Sequence, residues 1–330
     1  MAKFLSFSRV RKFPYALGLP NFRSPQLLWS KGVGDFCDFA GPRWYRHAQT
    51  EWTQPESFFT QHYRGAHGLV WLRLGTVARE NRICDLDTFV KVALPTISKP
   101  FLLVTTDGDV SVPSELRAET VEALTAHPFL VSWFSQNCDG SNPKVRPFPI
   151  GIDLHTLRDC TTPSQLVRLL QGLGVSAAPV EKRPPKVFCD LNLALSKERR
   201  KAIDALRDCE HVEFAVSRVS QREIWKRYAR YPLVLSAPGN GLDCHRTWEL
   251  LYLGCIVVTK TSPLDPLYEG LPVIIVDAWP QVRDVDMLQQ CIREFSPLTD
   301  HDYIRKRLRP EAYFEPLRNM LSQNGGGVGI

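Results

Sequence analysis

The sequence predicts an α/β fold of two Rossmann-like domains facing a cleft, and two observations carry that reading. From Pro185 onward short apolar runs alternate with helical patterns, and the first half repeats the alternation more loosely. At 330 residues the chain is long enough for two substantial cores.

In the second half the expected elements are a strand over Lys186 to Cys189, a helix over Lys197 to Cys209 and a strand over Val212 to Ala215. A helix over Gln221 to Arg230 and a strand over Leu233 to Ser236 follow. Pro238, Gly239 and Gly241 then turn the chain into a helix starting near Asp243, a plausible N-cap, and Gly254 stops it before a strand over Cys255 to Val258. A short segment at Asp265 to Tyr268, a strand Val273 to Val276 and a helix Val285 to Phe295 complete the rhythm.

His301 to Leu321 reads as one or two helices broken near Pro310, and Asn324 to Ile330 as a disordered glycine-rich tail. The first half offers strands at Leu69 to Leu72, Phe101 to Val104 and Leu130 to Trp133, with helices at Leu86 to Leu94 and Ser114 to Ala126. Thr161 to Pro185 reads as a short helix and an interdomain linker. The expected domains are therefore an acceptor-side domain over 1–178, a nucleotide-binding domain over 179–300, a helical segment over 301–323 and the tail 324–330.

Composition narrows the class. With 44% hydrophobic and 23% charged residues the chain is an ordinary globular one. No apolar run approaches the roughly 20 residues of a membrane span, and the N-terminus lacks the apolar core of a signal peptide. A cytoplasmic protein is expected, the alternative being a catalytic domain of a Golgi or other membrane-anchored enzyme. Membrane association would then come through the acceptor or the anchor.

Nine cysteines without a C-x-x-C pair point to reduced thiols, and neither Cys nor His shows zinc spacing, so no metal is expected. A net charge of +6, mixed in sign along the chain, fits an anionic substrate or membrane headgroups no better than it fits chance. The basic clusters Lys197 to Lys201 and Arg305 to Arg309 lie on expected helices without interleaved aromatics, so they read as solvated faces and no nucleic-acid partner is expected.

The stretch Tyr231 to Val258 concentrates the chemistry. Gly239, Asn240 and Gly241 leave the backbone uncovered for a diphosphate, and the free N–H groups of the next helix point at that anion. Arg246, in the first helical turn, offers a guanidinium to phosphate oxygens, and His245 beside it is within reach of the diphosphate or the leaving group. Glu249, three residues on, shares the face of Arg246 and offers a carboxylate to sugar hydroxyls. By spacing alone the same two residues read equally as an intrahelical ion pair.

Pro238, Gly239, Asp243, Arg246, Glu249, Gly254, Cys255, Ile256, Leu271 and Pro272 together resemble the nucleotide-sugar half of exostosin-type glycosyltransferases over roughly Val212 to Trp279. Val257 stands where that family usually has proline, and His245 where it commonly has a small hydroxyl residue. The resemblance implies a GT-B fold with Arg246 and Glu249 in the donor site. It also implies a nucleotide-sugar donor, UDP-xylose or a UDP-hexuronate among the candidates, and a glycan or glycoconjugate acceptor.

In the first half Thr105 to Asp109, TTDGD, places two carboxylates at the end of a strand, where Asp107 or Asp109 is a candidate base for an inverting, metal-independent transfer. The same residues also read as a tight turn, or as a D-x-D pair holding a divalent metal in a GT-A-like enzyme. Asn137 and Asp153 are acceptor-side candidates, and His155 reads as a structural histidine. A catalytically silent glycan- or nucleotide-binding protein is the reading from another class. No cofactor is expected beyond the nucleotide-sugar substrate, and a divalent metal enters only with the GT-A-like alternative.

Overall fold

The computed structural model describes residues 27–47, 53–75, 83–156, 162–192 and 196–325. The N-terminus, residue 161 of the expected linker and the last residues of the expected tail, 326–330, lie outside these. The chain divides into two compact units, one formed by Gly151–Leu308 and the other by the described residues up to Ile150 with those from Arg309 onward.

The unit ending at Ile150 carries four parallel strands, β1 (Gly68–Arg73), β2 (Phe101–Thr106), β3 (Leu130–Ser135) and β4 (Val145–Pro147), paired in chain order. Its helices are α1 (Arg43–His47), α2 (Glu56–Tyr63), α3 (Asp85–Val92) and α4 (Ala118–Ala126). All six residues of β2 are buried, as a parallel strand covered on both faces requires. Strands added successively in one direction by right-handed crossovers receive their connecting helices on one face only. The sheet therefore needs cover from elsewhere in the chain.

The unit Gly151–Leu308 carries β5 (Val187–Cys189), β6 (Val212–Phe214), β7 (Leu233–Leu235), β8 (Ile256–Lys260) and β9 (Val273–Val276), all parallel. Its helices are α5 (Pro163–Ser176), α6 (Lys197–Leu206), α7 (Gln221–Tyr228), α8 (His245–Tyr252), α9 (Val285–Phe295) and α10 (His301–Arg307). The strand order is β6-β5-β7-β8-β9, so the chain first steps to one side of β5 and then crosses back to the other. That reversal between β5 and β7 is a topological switch point, where a crevice opens beyond the strand carboxyl ends.

The division at Ile150 lies well before the expected boundary at 178. The physical reason is that the helix expected in this stretch, α5, spans 14 residues and packs against α7 and α8, which joins it to the Gly151–Leu308 unit. Contact is close enough that a Cβ on Gly174 would lie 2.2 Å from the Tyr252 carbonyl oxygen. Helix α8 ends as expected at Gly254, whose φ of +65° takes the left-handed turn while Cys255 N–H bonds Leu250 O and Gly254 N–H bonds Leu251 O.

The C-terminal segment is helical with a break before Pro310, as expected, but α11 (Pro310–Gly325) belongs to the first unit and continues past the expected start of the tail. It packs against β1 and β2 and so supplies cover that the crossover helices leave missing. Phe314, 3% exposed, stacks on Phe36 at 5.1 Å and lies 5.7 Å from Phe148. Among the described residues no helix is long and apolar enough to cross a membrane, and the cysteines are free thiols.

Truncating Phe314 removes one of the buried anchors of α11. Phe314→Ala should destabilise the protein by about 3–5 kcal/mol, measured as a lowered urea midpoint. A change below about 1 kcal/mol would show that α11 does not hold the sheet.

Candidate functional site

The switch point is built from the ends of β5 and β7 and the starts of the helices that follow them. Asp190 directly follows β5, and its carboxylate accepts from the Tyr228 hydroxyl at 2.5 Å and from Arg246 Nη2 at 3.3 Å. Burial pushes the Tyr228 phenol up, Arg246 opposes that and Asp190 adds to it, so the hydroxyl remains a donor. Burial alone would pull the Arg246 guanidinium down, but Tyr228 and Asp190 hold it above its ordinary value and it stays charged.

Sequence reasoning missed a second guanidinium. Arg199, 5% exposed, turns inward from α6 and donates through Nε to the carbonyls of Ala237 at 3.3 Å and Pro238 at 3.0 Å. Ser196 caps α6 by accepting from Arg199 N–H at 3.2 Å and donates its hydroxyl to Pro238 O at 2.6 Å. Burial and the neighbouring Arg246 both pull the Arg199 guanidinium down. Two arginines thus sit near the single Asp190 carboxylate. Of the basic cluster read as a solvated face, Lys197 and Lys201 are exposed and Arg199 is not.

The glycine loop is braced rather than open. Gly239 N–H bonds Gly241 O at 3.0 Å, so it does not stand free for a phosphate, and a Cβ on Gly239 would approach Arg199 Nη2 to 3.0 Å. Gly241 is half-buried and Asn240 exposed. The expected cap Asp243 lies one residue before the observed N-cap, Cys244, and its Oδ1 accepts Cys244 N–H at 2.8 Å and Trp248 Nε1 at 2.9 Å. That bracing fixes the loop at the start of α8 without a side-chain cap.

Arg246 and Glu249 share a face of α8, as their spacing predicts, and each is held by a partner from another element. Glu249 is 8% exposed and accepts Trp225 Nε1 at 3.0 Å, which ties α8 to α7. Arg246 faces Asp190 instead, and its Nη1 is buried with no hydrogen-bond partner among the described residues.

His245 joins two residues from the chain's entry into this unit. Its Nδ1 lies 2.8 Å from Gly151 O, and its ring stands 5.4 Å from that of His155 at 62°. Asp153 Oδ1 lies 3.1 Å from His155 Nδ1 and accepts Thr156 N–H at 2.9 Å. Asp153, expected on the acceptor side, therefore belongs to the unit of the glycine loop, and His155 is part of a cluster rather than a lone structural histidine. Burial alone would raise the Asp153 carboxyl, but His155, His245 and the Thr156 N–H hold it well below the usual carboxylate range.

The remaining predicted residues lie in the other unit. Asp107 is buried at φ +65°, and its carboxylate is 2.7 Å from Lys31 Nζ. Its N–H donates to Gln136 Oε1 at 3.0 Å and its carbonyl accepts from Gly75 N–H at 3.1 Å. The lysine occupies the Asp107 carboxylate, which is therefore not presented to an acceptor hydroxyl or to a D-x-D metal. Asp109 is exposed. Asn137 is 0% exposed at φ +56° and donates to Gly108 O at 3.0 Å, so it shapes the TTDGD turn instead of meeting an acceptor.

No protein-family model matches the chain, and no curated protein matches it. Among solved structures it is similar to a UDP-forming α,α-trehalose-phosphate synthase from Burkholderia xenovorans, at 10% identity and a TM-score of 0.43, covering 79% of this chain and 74% of that one. A trehalose 6-phosphate synthase from Burkholderia multivorans matches at 10% identity and a TM-score of 0.43 over 97% and 84% of the two chains. An α-glucosyltransferase in complex with UDP and a 13-mer DNA matches at 10% identity and a TM-score of 0.39, over 81% and 82%. The substrates of those proteins are theirs, and the functional reading rests on this chain's own residues.

A carboxyl whose folded pKa is depressed contributes stability that is present in full above its unfolded value, about 3.9 for Asp, and lost as pH falls toward the folded value. Acidification below about pH 4 should therefore cost the wild type more stability than Asp153→Asn, read as the difference in urea midpoints between neutral and acid buffers. Equal acid losses in the two proteins would contradict the depressed carboxyl.

Proposed function

We propose that the chain is a glycosyltransferase whose nucleoside diphosphate donor binds at the switch point of Gly151–Leu308. The observation that carries this is Arg246 Nη1, a buried cationic donor with no hydrogen-bond partner among the described residues, beside Arg199 and one carboxylate. A buried charged donor left unsatisfied is costly, and a diphosphate oxygen supplies both the acceptor and the opposite charge. Two charge-assisted hydrogen bonds at about 1.5–3 kcal/mol each, with about 0.3–2 kcal/mol from the α8 N-terminus, reach the roughly 4–8 kcal/mol of millimolar to micromolar binding.

In this reading Arg246 and Arg199 stabilise the negative charge that grows on the departing diphosphate. His245 heads the helix beside them, and Glu249, held in one orientation by Trp225, takes the ribose hydroxyls. The acceptor is a hydroxyl of a glycan or glycoconjugate. Its oxygen attacks the anomeric carbon as the bond to the diphosphate breaks, giving inversion, and its proton passes to a base. Asp109 is the better of the two aspartates for that role, because Asp107 is paired with Lys31. A UDP-sugar donor, with UDP-xylose or a UDP-hexuronate among the candidates, follows from the exostosin-type resemblance.

Calorimetric titration of UDP in EDTA tests the donor site. Binding in the millimolar to micromolar range should weaken at least tenfold in Arg246→Ala and in Arg199→Ala, about 1.4 kcal/mol or more. Binding that ignores both substitutions, or no nucleotide binding at all, would overturn the proposal. With donor bound, Asp109→Asn should lower the transfer rate by about 10²–10⁴ without weakening UDP binding.

A further inference from the structure

We infer that Asp153, His155 and His245 form a binding site for one divalent transition-metal cation of the zinc class. One potential ligand atom from each residue lies within 4.8 Å of the others. Metal bonds of about 2.0–2.2 Å set ligand atoms roughly 3.3–3.6 Å apart in a tetrahedral site, so modest side-chain rotation closes the cluster on a cation. Asp153 Oδ1 and His155 Nδ1 already stand 3.1 Å apart, a few tenths of an ångström short of that spacing.

The chemistry around His245 is what a ligating histidine needs. A carbonyl oxygen only accepts hydrogen bonds, so the 2.8 Å contact with Gly151 O puts the proton on Nδ1 and leaves the Nε2 lone pair for a cation. Asp153 Oδ1 accepts the N–H groups of His155 at 3.2 Å and Thr156 at 2.9 Å, which fix the carboxylate's orientation. Side-chain exposures of 26% for His155 and 13% for Asp153 leave the cluster reachable from solvent.

Two imidazoles and one carboxylate select among metals. Imidazole nitrogen suits Zn²⁺, Co²⁺, Ni²⁺ and Cu²⁺, whereas Mg²⁺ and Ca²⁺ require mostly oxygen ligands. Three protein ligands leave room for water or an oxygen of a bound anion. The cation would clamp the segment entering the unit, around Asp153 and His155, to the first residue of α8. The zinc spacing rules applied to the sequence miss the site because His245 is supplied by a distant part of the chain.

The inference does not depend on the donor reading, and its test uses the full chain without nucleotide. Cobalt(II) added to metal-free protein should bind at one equivalent, with the visible absorption of low-coordinate cobalt, and zinc but not magnesium should displace it. His155→Ala and His245→Ala should each weaken binding at least tenfold, while His67→Ala, at an exposed histidine in the other unit, should not. Circular dichroism establishes that each variant is folded. No cobalt binding by the wild type, or equal binding by folded His155→Ala/His245→Ala, would overturn the assignment. Because UDP titration in EDTA reads Arg246 and Arg199, failure of one proposal leaves the other standing.

Discussion

The strand order β6-β5-β7-β8-β9 is the constraint on which the rest of the Gly151–Leu308 unit depends. Only where the crossover direction reverses do two adjacent strand ends lack a covering connection. That reversal brings together the turn after β5, which supplies Asp190 and the start of α6, and the turn after β7, which supplies Pro238 and the start of α8. Arg199 and Arg246, separated along the chain by β6, α7 and β7, become neighbours for this reason. Among the described residues the other unit pairs its strands in simple succession without a reversal, and α11 covers its sheet instead.

The charges at the switch point form a hierarchy of fixed and available groups. Asp190 is fixed by Tyr228 and Arg246, Pro238 by Ser196 and Arg199, Glu249 by Trp225, and Asp243 by Trp248 and the Cys244 N–H. Each bond removes rotational freedom before any ligand arrives, which lowers the entropic cost of binding. Arg246 Nη1 and Asp190 Oδ1 are the exceptions: the surrounding groups orient the guanidinium and the carboxylate, and these two buried atoms have no hydrogen-bond partner among the described residues. At the TTDGD turn the opposite holds: Lys31, Gln136 and Asn137 satisfy the polar groups of Asp107 and Gly108.

Much of the fold is legible in the sequence because buried parallel strands are short apolar runs bounded by turn residues. Val273–Val276 and the helix Val285–Phe295 have the bounds that pattern gives, and the other strands of that sheet differ by a residue or two. β4 escapes because Val145 is followed by Arg146 and Pro147 and no apolar run forms. Thr161 to Pro185 reads as a short helix and a linker, and its glycines and small residues conceal that the helix runs 14 residues and that Gly174 serves close packing. The site is legible at Arg246 and Glu249, which share one helix. It is not legible at Asp190 or Arg199, which meet the loop after β7 only once β5 and β7 pair, although Ser196 as an N-cap three residues before Arg199 is a usable signal. Asp153, His155 and His245 likewise meet only in three dimensions.

The most direct test of the switch-point site is amide hydrogen exchange on the full chain with and without saturating UDP, which reads each strand end independently of any substitution. The account predicts slowed exchange in peptides spanning residues 190–199 and 236–249, where the α6 and α8 N-termini meet the loop after β7. Protection confined to residues 105–112 and 135–139, with none at the β5 and β7 ends, would contradict it.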